Sequence, residues 1–257
     1  MDGKQLRESI KSSFHSKPYT KSSGFLAGLV SPHAGITYCG KIAAKGYYEL
    51  SKHEPRTFVI LGPNHTGMGD ELSIMFNADY STPLGKVNTN AKLGRELCKK
   101  LGLSNDFLAH SREHSVETQL PWLQYLYDDV EILPIVLGSV ELSELRKIGS
   151  LLASEDVTII ASSDFTHHGD VYGYTPLDNV KVELQSHDMN AIKLIQELKV
   201  KEFHELGSES SICGYKPITV LMQAMKERDA SPHFKGYATS AEVTGDYENV
   251  VGYASIV

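Results

Sequence analysis

The chain has 257 residues, 41% hydrophobic and 22% charged, which is enough apolar material for one large core. A net charge of −7 without a basic stripe argues against nucleic acid as a partner. Three cysteines are too few for a disulfide framework, the charged start lacks a signal peptide, and no apolar run nears the roughly 20 residues that span a bilayer; a cytoplasmic protein without a membrane partner is expected.

Short β-branched runs alternate with helical patterns along the chain. Strands are expected at Phe25–Val30, Thr57–Leu61, Glu71–Phe76, Glu131–Leu137, Val157–Ala161, Phe234–Ala241 and Val250–Val257. Several are almost continuously hydrophobic, as strands covered on both faces are. Helical patterns fill 3–14, 39–51, 89–101, 117–127, 141–152, 177–198, 199–206 and 214–228, with capping residues in Asn88-Thr89-Asn90 and Glu141-Leu142-Ser143. The alternation predicts one α/β domain over residues 1–257, a three-layer α/β/α sandwich with a mixed, largely parallel central sheet. Thr244-Gly245-Asp246 marks a turn, so the last two strands should form a hairpin.

What ends the strands is more informative. The first runs into Ser31-Pro32-His33-Ala34-Gly35, the second into Gly62-Pro63-Asn64-His65-Thr66-Gly67, and a later one into Ser162-Ser163-Asp164-Phe165-Thr166-His167-His168-Gly169. Loops at the carboxyl ends of such strands converge on one crevice, where ligands bind. Ser210-Ser211-Ile212-Cys213-Gly214 precedes a helix with Pro217 in its first turn, so Cys213 should lie near a helix N-terminus that favours thiolate. A thiolate beside neutral imidazoles is a soft-metal ligand set.

Glu113-His114-Ser115-Val116-Glu117 could place His114 and Glu117 on one helix face, although the spacing is not that of a zinc protease. Asp164 fits a site role and a turn-capping role equally. Only one of His167 and His168 should face the crevice, the other being solvated. Cys39 and Cys98 read as packing residues; His15, His53, His110, His187, His204 and His233 read as surface. Tyr38, Tyr172 and Tyr174 suit a pocket wall or the core. No phosphate loop, dinucleotide fingerprint or serine-nucleophile elbow is present.

In these stretches, and in Ile36-Thr37-Tyr38-Cys39-Gly40 and Leu133-Pro134-Ile135-Val136, the sequence resembles the Memo family. The family's usual Arg-x-Pro-Ala-x-Ala-Gly opening has no counterpart before Leu6. The family is similar in fold to class III extradiol ring-cleaving dioxygenases, which hold Fe(II) with two His and a Glu. The resemblance implies His33 and His65 as metal ligands, Cys213 in place of the carboxylate, His167 as acid/base and Asp164 in the same pocket. It also implies iron or copper, ahead of zinc, with signalling and phosphopeptide binding in eukaryotic members. Thiolate ligation shifts preference toward copper or zinc and adds an oxidisable ligand. Two functions are therefore expected to compete: a metal-dependent redox or dioxygenase-like enzyme, and a noncatalytic interaction or metal-sequestering module, with a zinc hydrolase behind both. The pocket's occupant should be a small molecule or a peptide.

Overall fold

Four apolar runs form the parallel heart of one sheet in the computed structural model, which describes residues 1–18, 26–54 and 57–257; Phe25, the first residue of the first expected strand, lies outside them. The strands are β1 (Gly28–Ser31), β2 (Thr57–Pro63), β3 (Leu72–Ile74), β4 (Tyr80–Thr82), β5 (Gly85–Thr89), β6 (Glu131–Leu137), β7 (Thr158–Ser162), β8 (His167–His168), β9 (Phe234–Thr239) and β10 (Val250–Ile256). They run in the order β4-β5-β6-β2-β7-β1-β10-β8, with β3 also on β6 and β9 on β10. Pairs from β5 to β1 are parallel; β3, β4, β8, β9 and β10 pair antiparallel. The mixed, mostly parallel sheet expected from the sequence is thus present.

The helices are α1 (Gly3–Ser13), α2 (Ile36–Leu50), α3 (Ala91–Leu101), α4 (Leu120–Leu126), α5 (Leu142–Ala153), α6 (Val180–Gln196), α7 (Val200–Ser208), α8 (Tyr215–Glu227) and α9 (Ala241–Thr244). They cover both sheet faces, and the pleat of β2 divides the core accordingly. Phe58 and Ile60 pack with Leu6, Ile10, Tyr47 and Trp122 of α1, α2 and α4. Val59 and Leu61 pack on the other side with Leu145 and Ile148 of α5 and Val220 and Leu221 of α8. All seven residues of β2 are buried, which accounts for its unbroken hydrophobic run.

Pro134 sits inside β6, where a missing N–H would normally break a ladder. It falls between the β5 pairing, which ends at Ile132, and the β3 pairing, which starts at Ile135. Its carbonyl accepts from Met75 on that same edge, so the lost donor leaves no gap in the β2 ladder.

Four departures from the sequence reading are local. The β4–β5 hairpin was not expected; of its residues only Val87 is buried, so no apolar run announces it. Asn88 and Thr89 pair with β6 instead of starting α3, which begins at Ala91 with Asn90 Oδ1 accepting from the Leu93 amide at 2.8 Å. Glu141 occupies the N-cap of α5 without a side-chain bond, and residues 117–119 form a 3₁₀ turn ahead of α4. The expected terminal hairpin is present: β9 and β10 are antiparallel, their connection holds α9, and Gly245 ends it at φ 73°. Among the described residues no helix is long and apolar enough to cross a membrane.

Candidate metal centre

Because β1, β2 and β7 are parallel, their carboxyl ends share one edge, and His33, His65 and Asp164 each follow a strand there by two residues. His33 is buried. Its Nδ1 lies 3.0 Å from Ser162 Oγ, the last residue of β7. That hydroxyl donates its one proton to the Ser115 carbonyl at 2.6 Å and accepts from Gln119 Nε2 at 2.9 Å. Towards His33 it can only accept, so Nδ1 carries the proton and Nε2 presents a lone pair. Burial holds the imidazole well below its ordinary range, at about 4, although the Asp164 charge works against this. The ring is therefore neutral near pH 7.

His65 reaches the same tautomer by a different route. Its Nδ1 stands 2.9 Å from Glu113 Oε1 and its amide donates to Oε2 at 2.7 Å. The Ser115 amide donates to Oε1 as well, at 2.9 Å. Burial pushes the Glu113 carboxyl up, but the His65 ring and the two amides outweigh it and hold it at about 2. An ionised carboxylate only accepts, so the His65 proton also sits on Nδ1 and Nε2 is free. A carboxylate behind an imidazole is the usual support of a metal-bound His.

Cys213 completes the group from the loop ahead of α8. Gly214 caps that helix, its amide donating to Ser163 Oγ at 3.0 Å, and a side chain there would run into the Ser162 carbonyl. This close approach brings Cys213 Sγ to 3.3 Å from His33 Nε2. The expected thiolate is corrected: burial first and the Asp164 carboxylate second push the thiol above its ordinary range, outweighing the helix N-terminus. A cation bound here would supply the charge that the dipole alone does not. His33, His65 and Cys213 each offer a ligand atom, all within 4.8 Å of one another, a spread that Zn–N and Zn–S type bonds of about 2.0–2.3 Å can close with little movement.

The whole chain, residues 1–257, matches the family described as Memo-like protein. It is 38% identical to a MEMO1 family protein of Thermoplasma acidophilum, over 97% of this chain and 91% of the relative. A MEMO1 family protein of Metallosphaera sedula is 35% identical over 98% and 93%. One of Methanocaldococcus jannaschii is 38% identical over 90% and 83%. The chain belongs to the Memo family.

In this Memo protein Asp164 is buried, and its Oδ1 accepts from the His33 amide at 2.8 Å, so it fixes the turn as well as facing the site. Its Oδ2 lies 4.0 Å from His33 Nε2. His167 has Nδ1 2.9 Å from the Phe165 carbonyl and 3.0 Å from the Ser211 carbonyl. Carbonyls only accept, so Nδ1 is protonated and Nε2 is left to take up a proton. The Ser211–Cys213 segment ties His167 to the centre.

Other expectations are revised. His168 is buried, not solvated, and its Nδ1 has no hydrogen-bond partner among the described residues. His110 is buried rather than on the surface, near Tyr80. Glu117 does not accompany His114; it lines an apolar groove beside Trp122. Tyr38 and Tyr172 are 42% and 44% exposed, so neither belongs to the core, and Tyr172 stands edge-on to His167. Cys39 and Cys98 are buried packing residues as expected. The sequence reading missed Ser162, Gln119 and the role of Glu113, although Glu113 lies in a motif it had singled out.

Proposed function

We propose that this Memo protein binds a redox-active ion, iron or copper ahead of zinc, at His33 Nε2, His65 Nε2 and Cys213 Sγ. The reading rests on one observation: two imidazoles that follow separate strands, both held in the Nδ1–H tautomer, gather with one thiol so that a ligand atom of each lies within 4.8 Å of the others. When bound, the ion would supply electron transfer and Lewis acidity at the strand edge. The chain's own residues support that chemistry. His167, its Nδ1 bound by carbonyls, would accept and return a proton at Nε2, while Asp164 orients the His33 turn and Ser162 and Glu113 keep the tautomers of His33 and His65. The pocket would take a small molecule or a peptide. The resemblance to extradiol dioxygenases favours oxygen-dependent chemistry, whereas Cys213 in the carboxylate's place argues against inherited ring cleavage.

A metal-sequestering or interaction module is the second reading, favoured by the exposure of His65 and His114 at the rim. Elemental analysis of the untagged protein, with His33→Ala and Cys213→Ser beside it, separates an ion-binding protein from a metal-free interaction module. Near-stoichiometric iron or copper, lost in both variants, is expected. Metal-free protein that takes up no ion anaerobically would leave the interaction module.

A further inference from the structure

One histidine of the cluster has no part in the set just described. His114 is 55% exposed, stacks on His65 with ring centroids 4.9 Å apart, and has Nδ1 3.6 Å from Glu113 Oε1. His65 Nδ1 lies 2.9 Å from that same oxygen. His65, Glu113 and His114 each offer a ligand atom within 4.8 Å of the other two, as closely gathered as the His33, His65 and Cys213 set. Two imidazoles and a carboxylate on one side of an ion suit Fe(II), whereas two imidazoles and a thiolate suit Cu(I).

We infer that His65, Glu113 and His114 form an outer metal site that alternates with the inner one because both need His65. This rests on the inner site proposed above. His65 belongs to both sets, and one lone pair cannot serve two ions at once. With the proton on Nδ1, held by Glu113, Nε2 serves the inner set. To serve the outer set at Nδ1, that proton leaves to solvent and Nε2 takes one up, so the lone pair turns away from the inner ion. Glu113 then exchanges a hydrogen bond for a metal bond. Filling the inner set releases the Cys213 thiol proton to solvent. Exposure grades the same way, from His114 at 55% through His65 at 32% to His33 at 3%, so an ion arriving from solvent meets the outer set first.

Anaerobic titrations with cobalt(II), standing in for iron(II), and with copper(I) test this on the wild type, Cys213→Ser and His114→Ala, with thermal melts confirming that each is folded. Cys213→Ser should still bind about one equivalent of cobalt(II) without a thiolate charge-transfer band, and adding His114→Ala should weaken that binding at least about tenfold. Copper(I) should show the reverse dependence: weakened by Cys213→Ser, indifferent to His114→Ala. Cobalt binding in Cys213→Ser that ignores His114 would overturn the outer site, and two equivalents in the wild type would overturn the alternation. Copper(I) binding that ignores Cys213→Ser, with cobalt(II) still weakened by His114→Ala, would sink the inner site while sparing the outer one. A thiolate band with His114→Ala silent throughout would do the opposite.

Discussion

The two imidazoles at the heart of the centre are held in the same tautomer by opposite means. His33 is enclosed, and its proton goes to a neutral hydroxyl that is itself fixed by Ser115 and Gln119. His65 stands at the rim, and its proton goes to an ionised carboxylate. In the buried position a neutral partner adds no second charge to desolvate; at the exposed one, a charged partner supplies order that burial does not. The difference gives each side its own sensitivity to mutation and to pH.

The largest effect should come from Glu113→Ala. It strips the acceptor from the His65 ring and amide and from the buried Ser115 amide at once. Metal affinity should fall about 10–100-fold, with a loss of about 1–3 kcal/mol from stability. Isothermal titration and urea denaturation measure both; an unchanged affinity would remove Glu113 from behind the ligand.

Acid should then separate the two sides in the metal-free protein. His33 titrates at about 4 when folded against 6.5 unfolded, so between those values the unfolded chain binds the proton that the folded chain refuses. Its contribution is complete above pH 6.5 and is lost as pH falls to 4, by about 3 kcal/mol at most. Glu113 works in a lower window: its folded value of about 2 against 4.5 means that stability is lost only as pH falls from 4.5 towards 2. Buried His110, also near 4, adds to the upper window. Urea midpoints from pH 7 to 4 should drop in the wild type and drop less in His33→Gln; parallel curves would show that His33 is not held neutral.

Ser162→Ala should be milder than Glu113→Ala, because it removes one neutral partner from a ring that packing already encloses. About 1–2 kcal/mol of stability and a few-fold in metal affinity are expected. If Ser162→Ala weakens metal binding more than Glu113→Ala, enclosure is not what holds His33.

How much of this was legible in the sequence follows from distance along the chain. His33, His65 and Asp164 could be read because each stands immediately after an apolar strand, a local pattern. The parallel sheet was legible for the same reason. Glu113 reaches His65 across 48 positions, and Gln119 reaches Ser162 across 43, and nothing in either neighbourhood names its partner. The β4–β5 hairpin is polar and half exposed, so periodicity passes over it. The protonation of Cys213 was misread because a helix N-terminus can be seen in sequence, whereas burial and the nearby Asp164 carboxylate cannot.

The smallest effect separates two neighbours. His167 and His168 are adjacent on β8, yet His167 donates to two carbonyls while His168 is buried with Nδ1 unpaired. Successive side chains on a strand point to opposite faces, so His168 should not share the face that His167 turns to the centre. It lines a separate cleft of about 600 Å³ with Asp170 and Tyr247. His168→Phe replaces a ring whose Nδ1 has no partner among the described residues with an apolar one of similar shape, which costs little when no partner is left behind. Metal affinity should be unchanged and stability equal or slightly higher, by melting temperature and titration. His167→Phe, by contrast, should leave two carbonyls without their donor and lower the melting temperature. If the two substitutions behave alike, the alternation across β8 does not separate their roles.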